Sequence, residues 1–417
     1  MRSGRAGAGE PAEPPGEPPG GASRGAPRGR RRAAARGTGP RGRARILLPT
    51  VALLLLARTG HALPLGAGAG GEPLRAVAAR AGVAIGAAAR ALLLETDPRY
   101  APVLAGEFDS LTPEIEMKWP QTEPEPGRFV FGPADALVDF AEAHGMRVRG
   151  HTLLWADPVR IPDYVARTGD PEALRTLLRN HITAVAGRYR GRVEAWDVVN
   201  EPLDPIRGTG LRSNVFLEHL GPAYIGEAFR LAREVDPSAQ LFLNEIGVLS
   251  GGPKFEALLD LVRDLLATGV PLDGVGLQGH IFAGLNTPSR ERVEEVVRSF
   301  ADLGLVVELT EIDVSVGPAV PDRLELQARI VGDLLGGCLA VEACRGITFW
   351  GFTDRHTWID DFLGPGRAPL LFDEEYRPKP AVEAVRATLA ARAVPEPGTG
   401  LALATGLAAL AATRRRA

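Results

Sequence analysis

The stretch VEAWDVVNE, from Val193 to Glu201, predicts a buried strand that ends in a carboxylate. Apolar side chains recur along it around Trp196, and no proline interrupts them, as is typical of a strand. Pro202 ends the strand because proline has no backbone N–H to donate to a neighbouring strand. Glu201 is therefore expected at the carboxyl end of the strand, beside the amide of Asn200.

A second stretch has the same form. Leu305 to Asp313, LVVELTEID, predicts an apolar strand that ends in another carboxylate, Glu311. In an α/β barrel the carboxyl ends of the parallel strands face one rim, and active sites lie there. Two glutamates that face one cleft at such a rim can act as the acid and the nucleophile of glycoside hydrolysis.

Strand and helix patterns alternate through residues 72–393. The helical pattern 134–144 ends at Gly145, a helix C-cap, and five further helical patterns follow prolines, at 171–189, 222–235, 253–267, 288–303 and 321–339. Eight strand–helix units predict a single (β/α)₈ TIM barrel. A doubly wound open sheet is the alternative, but no Gly-rich phosphate loop follows the first strand. The predicted strands are 83–88, 108–111, 147–153, 193–200, 240–244, 274–279, 306–310 and 346–350.

The charge is distributed unevenly along the 417 residues. The net charge is −3, but residues 1–62 carry twelve Arg and three Glu, and residues 398–417 carry three Arg and no acid. The remaining 63–397 hold 33 basic and 48 acidic residues, a balance of −15. An acidic body argues against nucleic-acid binding, so we expect uncharged polymers as partners.

The first 62 residues are predicted to be a leader. Residues 1–45 are rich in Arg, Gly, Pro and Ala and lack apolar periodicity, which is typical of disorder. The twelve-residue apolar run 46–57 matches a signal-peptide core, and Gly60 and Ala62 are the small residues expected before a cleavage site. A buried helix of the main domain is the alternative for this run.

The last 24 residues, 394–417, contain the sequence VPEPG, an apolar stretch from Leu401 to Ala412 and a basic end at 414–416. This order resembles the PEP-CTERM sorting tail of Gram-negative bacteria. The resemblance implies export, recognition by an exosortase-like machinery and transient membrane contact through the tail. The basic cluster agrees with a cytoplasmic end. A simple hydrophobic anchor and a terminal helix are the alternatives.

Only two cysteines occur, Cys338 and Cys344. In an exported protein they could form a disulfide, and two small buried thiols are the other interpretation. Their spacing does not suit zinc, so we expect no metal. Because nucleotide-binding loops are also missing from the sequence, we expect no cofactor.

Polar and aromatic side chains follow nearly every predicted strand. Carboxylates, amides, imidazoles and tryptophans are what a sugar site needs, since hydroxyls require planar hydrogen-bonding groups and the apolar faces of sugar rings stack on indoles. Taken singly, each residue also has a structural explanation in packing, a hydrogen bond or a salt bridge, but packing does not readily explain why all of them follow successive strands. The set comprises Glu114, Lys118, Trp119, His151, Trp155, Asn200, Glu201, Asn244, Gln278, His280, Glu311, Asp313, Trp350, Asp354, His356 and Trp358.

Several motifs make the chain similar to a known family over about residues 75–385. The motifs are TPEIEMKWPQTEP with GRFVF, RGHTLLW, WDVVNE, GVGLQGHI, ELTEID, ITFWGFTDRHTW and RPKPA. In these motifs and their order, the chain resembles glycoside hydrolase family 10, the family of retaining endo-β-1,4-xylanases.

The resemblance implies roles for the matching positions. Glu201 would be the acid/base, Glu311 the nucleophile, and Asn200 a ligand of the sugar 2-hydroxyl. His280, with Asp313, would orient and ionise Glu311, and Gln278 would support the same site. The glycone side would be lined by Lys118, His151 and Trp155, with Glu114 further out and with Trp350 and Trp358 as stacking walls.

Four positions depart from the family pattern. Ile115 and Asp109 replace usual asparagines, Ala156 replaces a common histidine, and Ile246 replaces a usual aromatic residue. We expect these positions to lie in outer subsites and to affect substrate preference.

The resulting hypothesis is an exported, cell-surface or extracellular retaining endo-β-1,4-xylanase of a Gram-negative bacterium, acting on xylan or a related β-glycan. A related β-1,4-glycan hydrolase or xylosidase is the alternative within the same class. A non-catalytic xylan-binding barrel is the alternative from another class.

Overall fold

The computed structural model describes residues 71–205 and 208–393. The predicted leader and sorting tail lie outside these ranges. The strands are β1 Ala84–Ala89, β2 Ser110–Pro113, β3 Arg147–Trp155, β4 Ala195–Asn200, β5 Gln240–Glu245, β6 Gly274–Leu277, β7 His280–Phe282, β8 Val306–Ser315 and β9 Cys344–Phe349. The α-helices are α1 Leu74–Ala81, α2 Ala91–Thr96, α3 Tyr100–Glu107, α4 Trp119–Thr122, α5 Gly132–Ala143, α6 Asp163–Ala166, α7 Pro171–Arg188, α8 Val215–Leu220, α9 Ala223–Val235, α10 Pro253–Ala267, α11 Arg290–Ala301, α12 Arg323–Leu339, α13 Ile359–Leu363 and α14 Pro380–Ala393.

Eight of the strands close into a parallel barrel. Each of β1 to β5 pairs with the strand that follows it, β6 pairs with β8, β8 pairs with β9, and β9 pairs with β1. Helices alternate with the strands along the chain, so the predicted (β/α)₈ barrel is confirmed. Within the described ranges, no helix combines the length and apolar character that crossing a membrane requires.

The sixth predicted strand is divided in two. β6 ends at Leu277, and the chain resumes as the short β7, which pairs with β8. Between them Gly279 lies against β8, where an added Cβ would come within 2.8 Å of Ile312. Gln278 and His280 flank this break, and their side chains reach Glu201 and Glu311, respectively.

Two other predictions are corrected by the helix and strand bounds. Phe108 does not begin a strand, because its N–H still bonds to Leu104 O and ends α3. Asp109 precedes β2, and its Oδ1 accepts from the N–H of Ile85 at 2.8 Å. Asp109 therefore lies at the amino end of the barrel, and its assignment to an outer subsite is wrong.

The barrel interior holds buried charges beneath the carboxyl rim. Arg149 donates to both carboxylate oxygens of Asp197 and, at 2.8 Å, to Glu308. Asp197 also accepts from His151 Nδ1 at 2.9 Å. Buried charges are costly unless paired, and this pairing fixes Asp197 under the site.

A disulfide joins Cys338, near the end of α12, to Cys344, the first residue of β9, with a Cα–Cα distance of 5.6 Å. Of the two interpretations that the sequence leaves open, the structure has the disulfide. The cross-link holds the α12–β9 turn, which lies at the amino end of the last strand.

Candidate active site

Glu201 and Glu311 both lie at the carboxyl rim. Glu201 directly follows β4 and has a φ of 54°, an unusual value for a residue with a side chain. Its N–H is held by Asn244 O at 2.8 Å. Glu311 lies inside β8, which extends past the predicted end of that strand to Ser315.

A chain of amides joins the two glutamates. Gln278 Nε2 lies 3.1 Å from Glu201 Oε1 and 3.2 Å from Asn200 Oδ1. Asn244 Nδ2 lies 2.9 Å from the same Asn200 oxygen and 2.7 Å from Glu311 Oε1. Asn200 Nδ2 is buried and has no hydrogen-bond partner within the described part of the chain. It is therefore available to a ligand between the two carboxylates.

The surroundings of Glu311 favour its ionised form. Burial is the largest single influence and opposes ionisation, but the hydrogen bond from His280 Nε2 at 3.1 Å, together with the other favourable electrostatic interactions of Glu311, holds the pKa of Glu311 below its usual value. Burial also disfavours charge on His280, yet Asp313, 2.8 Å from Nδ1, and Glu311 raise the pKa of His280 to about 10. Trp358 Nε1 donates to the same Asp313 oxygen at 2.9 Å. His280 is therefore an imidazolium at neutral pH.

A cationic and aromatic wall, formed by Lys118, His151, Trp155 and Trp350, lies near Glu311. Lys118 Nζ is 4.7 Å from the ring centroid of Trp155 and 5.6 Å from that of Trp350. His151 meets Trp350 edge-on, with the ring centroids 5.0 Å apart. Burial lowers the pKa of Lys118, and the charge of Glu311 opposes this shift. The wall combines a donor for sugar hydroxyls with stacking surfaces.

Glu114 lies next along this wall. Burial raises the pKa of Glu114 to about 7, although Arg90 and Lys118 oppose the shift. A carboxyl that is partly protonated near neutral pH can both donate to and accept from a hydroxyl.

Three residues from the strand-end set lie outside the site. Trp119 stacks on His181 at 3.9 Å, Asp354 pairs with Lys379 at 2.8 Å, and His356 bonds to Asp97 at 3.0 Å. Packing and ion pairing account for all three, as the alternative interpretation of single residues allowed.

Sequence reasoning missed two residues of the site. Arg212 donates to Glu201 Oε2 at 2.8 Å and to Asp157 Oδ2 at 2.9 Å, and all three side chains are largely buried. Both lie in loops, Asp157 after β3 and Arg212 after β4, so the pattern of a polar residue at a strand end does not identify them. The signal that could have found them is weak: Asp157 lies two residues beyond a site tryptophan.

The protein is an eight-stranded parallel barrel in which two glutamates, linked by hydrogen-bonded amides, lie at the carboxyl ends of the strands. These features are those of the glycoside-hydrolase barrels. Residues 73–388 match the model of glycosyl hydrolase family 10. The chain belongs to this family.

Relatives in the family are named xylanases. Endo-1,4-beta-xylanase 1 of Humicola insolens is 36% identical over 324 residues, which cover 76% of this chain and 74% of that protein. Endo-1,4-beta-xylanase B of Thermotoga neapolitana is 37% identical over 321 residues, covering 75% and 90%. The structure of xylanase 10B from Thermotoga petrophila in complex with xylobiose is similar, with a TM-score of 0.73, 36% identity and coverage of 78% of this chain and 99% of that one.

Proposed function

We propose that this chain is a retaining endo-β-1,4-xylanase that cleaves internal bonds of xylan by double displacement. The observation that carries the proposal is the chain of amides through Gln278, Asn200 and Asn244, which links Glu201, the acid/base, to an ionised nucleophile, Glu311. Family membership and the names of the relatives support xylan as the substrate.

In the first step Glu311 attacks the anomeric carbon while Glu201 gives a proton to the leaving oxygen. The bond from that carbon to the leaving oxygen breaks, and a glycosyl ester on Glu311 forms. In the second step Glu201, now a carboxylate, takes a proton from water, whose oxygen displaces Glu311. The imidazolium of His280, paired with Asp313, stabilises the carboxylate of Glu311 before attack and after release.

The substrate-facing residues have complementary roles. Asn200 Nδ2, buried and without a partner in the described structure, donates to the sugar 2-hydroxyl. Lys118, His151 and Trp155 contact the glycone sugars, and Trp350 and Trp358 form the stacking walls. Glu114, with its pKa near 7, binds a hydroxyl further out.

A non-catalytic xylan-binding barrel is disfavoured, because binding alone does not need two carboxylates with different surroundings. A xylosidase or another β-1,4-glycan hydrolase would share these two glutamates. Product profiles from xylan, mixed-linkage glucan and carboxymethyl cellulose distinguish the three, with short xylo-oligosaccharides expected from xylan.

Stereochemistry tests the mechanism. Proton NMR of the first product formed from xylohexaose should give the β-anomer before mutarotation, because two displacements restore the configuration. An initial α-anomer would contradict the assignment of Glu311 as nucleophile.

We further propose that residues 1–62 direct export and that residues 394–417 are a sorting signal read by an exosortase-like protease, with transient membrane contact. The sequence patterns of both ends support this proposal. Deleting 394–417 should move the enzyme from the cell-associated to the released fraction with unchanged activity. Unaltered fractionation would mean that the tail is not a sorting signal.

A further inference from the structure

The loop after β3 contacts the candidate site at two points. Asp157 holds Arg212 and through it Glu201. Arg160 places its guanidinium carbon 5.2 Å from the ring centroid of Trp155, the ring that Lys118 also contacts. Arg160 thus lies at the solvent-facing end of a row of side chains that continues through Trp155 to Lys118.

Arg160 is exposed, and no carboxylate in residues 71–205 or 208–393 pairs with its side chain. Its surroundings differ from those of nearby arginines. Arg212 is paired twice, and Arg167 is paired with Asp163 at 2.7 Å. Arg160 therefore holds a full positive charge at the edge of a sugar-binding wall without a protein partner.

The charge of Arg160 is opposite in sign to the net charge of the main body of the protein. Residues 63–397 carry a balance of −15, which repels acidic polymers in general. Arg160 and Lys118 both place a positive charge beside the ring of Trp155, and Arg160 has no carboxylate partner in the described residues. An unpaired charge at this point favours a ligand that is mostly neutral but carries a carboxylate there.

We propose that Arg160 binds the carboxylate of a uronic-acid side group on the xylan backbone. The proposal rests on the proposed function and deepens it, because the backbone would occupy the cleft along Trp155. A guanidinium pairs with a carboxylate through two parallel N–H donors, which a neutral pentose side group does not offer. Arg160 is therefore a specificity-determining residue rather than a catalytic one.

The effect should be moderate and dependent on salt. Exposed ion pairs are screened over about 8 Å at physiological ionic strength. We expect Arg160→Gln to lower kcat/KM on uronate-substituted xylan roughly three- to fivefold at low salt, as for an exposed charge pair. The loss should shrink as salt is added.

The test compares Arg160→Gln, Arg160→Lys and a matched control, Arg167→Gln, which removes an exposed but paired arginine. The substrates are glucuronoxylan, the same polymer with its carboxyls reduced to alcohols, and unsubstituted xylohexaose. Only Arg160→Gln should lose activity, only on the acidic polymer, and Arg160→Lys should keep part of it. Equal losses on the reduced polymer or with Arg167→Gln would overturn the proposal.

A binding measurement tests the role of Arg160 independently of the proposed xylanase activity. Affinity electrophoresis in glucuronoxylan gels needs no turnover, and wild type should be retarded more than Arg160→Gln. Reduction of the polymer should abolish that difference. Retardation without cleavage of any xylan would refute the proposed function alone, whereas equal retardation of both proteins would refute the role of Arg160.

Discussion

Arg212 donates to Glu201 Oε2 at 2.8 Å, whereas Gln278 donates to the other oxygen, Oε1, at 3.1 Å. The other terminal nitrogen of Arg212, Nη2, donates to Asp157 Oδ2 at 2.9 Å, and this bond keeps the guanidinium in place. Each oxygen of Glu201 therefore receives one donor, and the carboxyl group is fixed in orientation. A fixed acid needs no reorganisation when the leaving oxygen arrives.

We expect Arg212→Gln to lower kcat/KM on xylan by about ten- to a hundredfold, the range for losing a largely buried charged hydrogen bond. The loss should be smaller for an aryl xylobioside, whose good leaving group needs little proton donation. Arg212→Lys should recover part of the activity. Equal losses on both substrates would mean that Arg212 only maintains the fold.

The acid/base role of Glu201 has its own test. Glu201→Ala should nearly abolish xylan cleavage, because a poor leaving group must be protonated in the transition state. An aryl xylobioside should still form the glycosyl-enzyme, and added azide should restore turnover by replacing the activated water. If azide does nothing and both substrates fail equally, Glu201 has another role.

His280 predicts how activity depends on pH. The hydrogen bond from His280 lowers the pKa of Glu311, whereas burial raises it. Removing this hydrogen bond should therefore raise the pKa of Glu311. Because attack needs the ionised form, the acidic limb of kcat/KM in His280→Gln should move to higher pH. An acidic limb at the wild-type position would contradict this role.

The same histidine predicts stability. The pKa of His280 is raised from 6.5 to about 10 in the folded state. Its protonation therefore contributes stability that is fully present below pH 6.5 and is lost as pH rises through 10. The melting temperature of the wild type should fall between pH 7 and 10 more steeply than that of His280→Gln. Parallel curves would mean that His280 is not charged in the folded protein.

The sequence predicts the barrel well because parallel strands are buried on both faces and appear as apolar runs. Glu201 and Glu311 could be found because each interrupts such a run at its end. Arg212 could not be found, since a loop residue reaches the site through tertiary folding that no local pattern encodes. The prediction that His356 belongs to the site is wrong for the opposite reason. His356 follows β9 but bonds to Asp97, and position after a strand cannot distinguish a ligand contact from a bond within the protein.

Ile115 stands where an asparagine is usual in the family, one residue beyond Glu114. Its side chain is half-buried and lines a cavity of about 550 Å³, with Leu92 and Val130 among the other lining residues. An asparagine in an open cavity can be hydrated, so Ile115→Asn should change the melting temperature little. Isoleucine offers a sugar hydroxyl no hydrogen bond, and leaving that hydroxyl desolvated costs about 1–3 kcal/mol.

We therefore expect Ile115→Asn to lower the Michaelis constant for xylotriose and longer chains, because the added amide acts in binding more than in the chemical step. Turnover of an aryl xyloside, which does not reach this position, should stay nearly unchanged. Ile115→Leu is the matched control, with a similar volume and no hydrogen-bonding group, and should leave the dependence on chain length as it is. If Ile115→Asn lowers the melting temperature and leaves that dependence unaltered, the side chain serves packing and the subsite interpretation fails.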